Sequence, residues 1–177
     1  MNWYKAWQIL TGSCGFKVDE VMSGTHKFVT NFDNIYGVQL AGGPMEFCVT
    51  WGPRRIGEFM RQLLTGKPAV SELSGAVDIA GLCNGLAIKG TLELRYFVDA
   101  TLRYEFEFNV DGRDYRFIGV KRNLRPWNLL KTHTTCYGML LDVTGDEAGM
   151  TNLLVSESVT RFRLYTIPAS LRSFRFT

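Results

Sequence analysis

Between Leu102 and Val110 the chain alternates without a slip. Leu102, Tyr104, Phe106, Phe108 and Val110 fall on one side of an extended strand, and Arg103, Glu105, Glu107 and Asn109 fall on the other. A helix would scatter both sets around its circumference, whereas a strand sorts them into one dry face and one wet face. Asp111-Gly112 then supplies a residue pair suited to a tight hairpin turn. The chain returns with Tyr115, Phe117, Gly119 and Lys121 on one face and Arg116, Ile118 and Val120 on the other. This hairpin commits the chain to antiparallel sheet, with its aromatic face towards a core.

The same period extends outward from the hairpin. Ser71 to Leu82 and Gly85 to Val98 read as strands joined across Cys83-Asn84-Gly85, and strands of about Leu130 to Val143 and Met150 to Tyr165 follow, linked by a polar loop over 144–149. Upstream, Phe16 to Met22 alternates apolar residues with charge, and Gly24 separates it from His26 to Phe32, which predicts a first hairpin. A third strand runs about Met45 to Trp51. The period changes only after Pro53, where Ile56, Phe59, Met60, Leu63 and Leu64 follow a helical repeat that Gly66 and Pro68 end, predicting a helix over 53–64. Trp3, Ala6, Trp7 and Leu10 predict a short N-terminal helix over 1–12 that packs on the domain, and Pro168 opens a short C-terminal helix over 167–175.

About nine strands, each paired with its sequence neighbour, leave two long edges, and a meander removes both by closing on itself. The expected fold is therefore all-β and mainly antiparallel, a single up-and-down barrel of lipocalin-like or streptavidin-like size over 16–165, with a two-sheet sandwich as the alternative. A length of 177 residues leaves no room for a second domain of ordinary size, so 1–177 is read as one domain.

Charge and cysteine usage narrow the function classes. Twenty Lys and Arg against 17 Asp and Glu give a formal net charge of +3, too mild to identify a nucleic-acid-binding protein. Cys14, Cys48, Cys83 and Cys136 lie far apart, with no C-x-x-C pair and no histidine at zinc spacing, so free thiols and no metal are expected. The N-terminus lacks the basic and apolar regions of a secretory signal, and no stretch matches a membrane-spanning helix, so a cytoplasmic location is expected. Neither a phosphate loop nor a dinucleotide fingerprint is present, and no cofactor is expected.

Polar residues on apolar strands are the candidate sites. Thr132-His133-Thr134-Thr135 and Tyr137 form the most unusual polar run: His133 and Thr135 share a face with Tyr137, while Thr132, Thr134 and Cys136 share the other. One of these sets points into a closed barrel, where it bonds within the protein or meets a ligand. Trp127, just ahead, is placed to cover a barrel mouth. His133, Thr135, Tyr137, Trp127 and Tyr104 are the candidate ligand-binding residues. Glu105 and Glu107, two apart on one face, have the spacing of an acid–base pair, but Arg103 and Arg116 beside them point to ion pairs on a solvated exterior.

The run Leu73-Ser74-Gly75-Ala76-Val77, the strand Ile88-Lys89-Gly90-Thr91-Leu92-Glu93-Leu94, the hairpin from Leu102 to Lys121, then Trp127 and Lys131 to Tyr137, resemble a known β-rich domain. It is the domain attached to cholesterol-oxidase-like members of the glucose-methanol-choline flavin oxidoreductases. The opening Val18-Asp19-Glu20-Val21-Met22-Ser23-Gly24 is similar to that module's first strand, so the likeness spans most of the chain from about Phe16. The family's threonine run is typically uninterrupted, and His133 breaks it here. The resemblance implies a standalone accessory barrel connected with sterol or lipid substrates and a possible oxidoreductase partner. It supplies no flavin domain and no catalytic residues.

Three functions compete at this point. The first is a binding module for an apolar, lipid- or sterol-like small molecule held inside the barrel. The second is an interaction module with a filled barrel that docks on a partner enzyme or on its own copy as a homodimer. The third is a small barrel isomerase or esterase using His133, Glu20 or Asp142. Interior side-chain size separates the first two, because small residues leave a cavity and aromatic ones fill it.

Overall fold

The computed structural model describes residues 12–29, 42–124, 135–144, 153–162 and 175–176. Eight long strands, β1 (Phe16–Phe28), β2 (Gly43–Trp51), β3 (Ala69–Ile79), β4 (Cys83–Arg95), β5 (Thr101–Val110), β6 (Arg113–Lys121), β7 (Thr135–Asp142) and β8 (Leu153–Phe162), run antiparallel, each beside its sequence neighbour. The sheet closes because β1 pairs with β2 on one side and with β8 on the other. A two-residue strand, β9 (Arg175–Phe176), joins the start of β1. The fold is the all-β, up-and-down antiparallel barrel expected from the strand patterning. Among the described residues no helix is long and apolar enough to cross a membrane.

Three local features differ from the sequence expectation. Gly24 does not divide a hairpin: β1 is one continuous strand of 13 residues through it. A Cβ on Gly24 would lie 2.0 Å from the Val159 carbonyl oxygen, so glycine is needed for the close approach of β8 rather than for a turn. The β3–β4 turn lies at Ala80-Gly81-Leu82, earlier than the Asn84-Gly85 pair. Gly85, at φ +60, sits beside a register shift in β3, where Asp78 accepts a hydrogen bond from its N–H at 2.7 Å. Arg175 belongs to β9, while the rest of the helix expected over 167–175 lies outside the described residues, as do residues 1–11 of the helix expected over 1–12.

The helix expected after Pro53 is present as α1 (Ile56–Leu64), entered from an extended Arg55. It buries Phe59 and Leu63 against Phe16 and Ala69, with Val18, Trp51 and Leu94 packed around them. Those partners lie at the start of β1 and β3 and at the end of β2 and β4, so Phe59 and Leu63 cover one end of the barrel, while Met60 and Leu64 of the expected apolar stripe are exposed.

The alternation along β5 has the expected register. Leu102, Tyr104, Phe106 and Phe108 are buried, while Arg103 bridges to Glu105 at 2.8 Å and Arg116 to Glu107 at 2.8 Å on the outer surface. Glu105 and Glu107 are thus exterior ion-pair partners. The middle of the lumen holds a closed aromatic layer. Phe47 sits 5.6 Å from Tyr104, 5.7 Å from Phe106 and 5.6 Å from Phe117, and Phe106 stacks on Phe117 at 4.7 Å. None of the four is more than 1% exposed.

Candidate functional site

Two unusual groupings emerge from this frame, one inside the barrel and one outside it. The inner one begins with Glu20, which alternation places on the inward face of β1 between Val18 and Met22. One carboxylate oxygen pairs with the Lys121 ammonium from β6. The other accepts hydrogen bonds from the Tyr104 hydroxyl at 2.8 Å and the Trp51 indole N–H at 3.2 Å. The Lys121 ammonium also lies 5.1 Å from the centre of the Tyr104 ring, a cation–π distance. Burial, followed by the charge of Glu20, raises the Tyr104 hydroxyl well above its ordinary range, so Tyr104 is a fixed donor. Cys136 from β7 is buried beside this group, and burial pushes its thiol up to about 12.

This cluster is a closed network. Both oxygens of Glu20 are occupied by donors that the barrel itself supplies, and the aromatic layer of Phe47, Phe106 and Phe117 lies on one side with the α1 cap on the other. Its chemistry is structural: a carboxylate with three donors holds β1, β2, β5 and β6 in one register. Asp142, at the end of β7, accepts instead from Arg113 at 3.4 Å and from the Thr144 N–H at 2.9 Å, so it shares no site with Glu20.

A second inward polar residue, His26, stands towards the opposite end of β1. Its Nε2 is 3.0 Å from the Ala80 carbonyl oxygen and its Nδ1 3.3 Å from the Ser156 hydroxyl. A carbonyl only accepts, so Nε2 carries the proton and Nδ1 accepts from Ser156. Burial lowers its proton affinity below the ordinary histidine value. His26 too is a satisfied structural group.

The outer grouping is different in kind. On β5 the outward residues are charged, but on the next strands they turn apolar. The register sets Ile118 opposite Met139, Val120 opposite Tyr137 and Tyr137 opposite Val159. These five side chains therefore tile adjacent positions on the wall formed by β6, β7 and β8. Tyr137 is 57% exposed, Met139 44% and Val159 40%. They line a groove of about 430 Å³ whose rim carries Lys27, Arg122 and Glu157. An antiparallel wall facing only water ordinarily carries polar residues there.

The residues proposed from sequence separate across this wall. Tyr104 is buried inside, in the Glu20 network. Thr135 and Tyr137 belong to the outward set of β7, and Cys136 to the inward set. His133 and Trp127 lie outside the described residues. Of the three described, only Tyr137 lines the outer groove. Ile118 and Val120 already stood on the outward face of β6 in the sequence. Their junction with Met139 and Val159 depends on the β6–β7 and β7–β8 registers, which strand periodicity alone does not fix.

Comparison with protein-family models, with curated proteins and with solved structures finds no match for this chain.

Proposed function

We propose that this protein is an interaction module: a filled barrel that works through its outer wall, docking the face formed by Ile118, Val120, Tyr137, Met139 and Val159 on a protein surface. The observation that carries this reading is the contiguous exposed apolar tract on β6–β8, directly beside a β5 wall that bears charge. Contiguous apolar surface with a polar rim is the usual anatomy of a docking face. The bulky lumen supports the same reading, because Phe47, Phe106 and Phe117 occupy the space a carrier would leave for cargo. Burying what remains exposed of Tyr137, Met139 and Val159, about half of each, stabilises a complex by about 1 kcal/mol each before association costs, which suits a reversible contact.

The test replaces Tyr137 with a photoreactive phenylalanine analogue and irradiates the protein, purified and in the cells that make it. Discrete protein–protein adducts from position 137, absent when the analogue replaces Asn109 on the charged wall, are expected. In parallel, fatty acids and sterols are titrated against tryptophan fluorescence. A saturable response with no adducts from position 137 would overturn the reading in favour of a small-molecule carrier.

A further inference from the structure

The docking wall has a property that bears on its partner. In the row nearest one end, β6, β7, β8 and β1 present Ile118, Met139, Glu157 and Lys27. In the middle row β6, β7, β8 and β1 present Val120, Tyr137, Val159 and Thr25. Beyond these come Thr135, Arg161 and Ser23 on β7, β8 and β1. Glu157 and Arg161 therefore flank Val159 on β8, one residue pair above it and one below, both exposed. Neither is in an ion pair among the described residues. A carboxylate and a guanidinium stand symmetrically about an apolar line and face outward.

We infer that the partner of this wall is a second copy of the chain, related by a two-fold axis that runs across the strands along Val120, Tyr137 and Val159, so that Glu157 of each copy meets Arg161 of the other. This rests on the reading of the wall as a docking face and adds its occupant. A two-fold axis lying in the interface brings each residue on it against its own counterpart and exchanges the rows on either side. The middle row then packs Tyr137 on Tyr137 and Val159 on Val159. The flanking rows exchange: each dimer gains two Glu157–Arg161 pairs, while Ile118 meets Arg122, Met139 meets Thr135 and Lys27 meets Ser23. An in-plane axis running along β7 would instead set Arg122 against Arg161 and Ile118 against Glu157, opposing like charges and gaining no ion pair. Charge complementarity selects the first arrangement.

The size of the face sets the strength. Four strands about 4.8 Å apart, with outward residues about 6.8 Å apart along each, give roughly 400 Å² of flat projection per copy. Two such faces give about 800 Å² in all, below the roughly 1,200 Å² of a standard specific interface, so the dimer is a weak one that dissociates in the upper micromolar range.

Sedimentation equilibrium of the full chain from about 1 to 200 µM reaches that range. Wild type is expected to dimerise. Glu157→Arg and Arg161→Glu should each weaken dimerisation at least tenfold, because each reversal creates two like-charge contacts, and the double reversal should recover most of the loss. Lys89→Glu, on the far wall, should leave it unchanged. Thermal melts check that each variant is folded, as expected at exposed positions. Wild type that stays monomeric overturns the inference, as does a dimer indifferent to the single reversals or a double reversal that does not recover. A monomer that still gives position-137 adducts with another protein sinks the second copy and leaves the docking wall standing. A monomer with no such adducts removes both.

Discussion

Replacing Lys121 with Met tests the energetics of the lumen. The substitution keeps most of the apolar stem, which packs in a site only 3% exposed, and deletes the ammonium. What remains is the Glu20 carboxylate, 8% exposed, held by two neutral donors, the Tyr104 hydroxyl and the Trp51 indole. Removing one partner of a buried ion pair costs about 3 to 5 kcal/mol, since the surviving charge has lost its compensation but is still out of water. Against a total stability of about 5 to 15 kcal/mol for a domain, that is a large fraction. The double variant Glu20→Gln, Lys121→Met leaves no charge, and an amide oxygen still accepts from Tyr104 and Trp51. It should therefore sit within about 2 kcal/mol of wild type, well short of the summed single losses. Urea denaturation followed by far-UV circular dichroism measures all four proteins. A Lys121→Met loss below about 1 kcal/mol, or a double variant as unstable as the two singles added together, would refute the argument that this pair is buried and coupled.

The remaining expectations concern packing, acid and thiols. Phe106→Ala should cost about 3 to 5 kcal/mol and Glu105→Ala less than about 1, because the first empties the aromatic layer and the second loosens an exposed ion pair; comparable losses in urea would contradict the register. Burial holds His26 below its ordinary value, so the unfolded chain takes up a proton near pH 6.5 that the folded chain takes up only at lower pH. Its contribution to stability is complete above that range and is lost as pH falls through it, and the decline between about pH 7.5 and about pH 5 should be shallower in His26→Asn melts. With a thiol reagent at neutral pH, exposed Cys48 should react in the folded protein, whereas Cys136, buried and pushed up to about 12, should react only on unfolding. Fast modification of Cys136 would mean that the lumen opens.

β5 was legible in full because its two faces differ at every position from Leu102 to Asn109, and the Asp111-Gly112 turn carried that register into β6, which put Lys121 on the side of Tyr115 and Phe117. A lysine there is the mark of a buried partner, and Glu20 on the inward phase of β1 is that partner. Their meeting was not legible: 101 residues separate them, and no local pattern encodes which strands become neighbours on closure. Gly24 misled for a related reason. In one dimension a glycine at a close approach between strands and a glycine at a turn are the same letter, and only the Val159 carbonyl beside it tells them apart. The outer tract was hidden by its composition, since Tyr137 and Val159 become a patch only once β7 and β8 are registered.

Closure through β1 also dictates an order of events during synthesis. β1 can pair early with β2, but its other edge, from Met22 to Phe28, has to wait for Ser156 to Phe162 of β8, more than a hundred residues later. Until then every growing intermediate carries two open strand edges, and Glu20 lacks its ammonium until Lys121 has been made. Synthesis of β8 is thus the point at which the barrel can first close. Chains stalled or cut before β8 keep the sticky edges that the closed barrel conceals, and these are the forms on which chaperones and proteases have most to act.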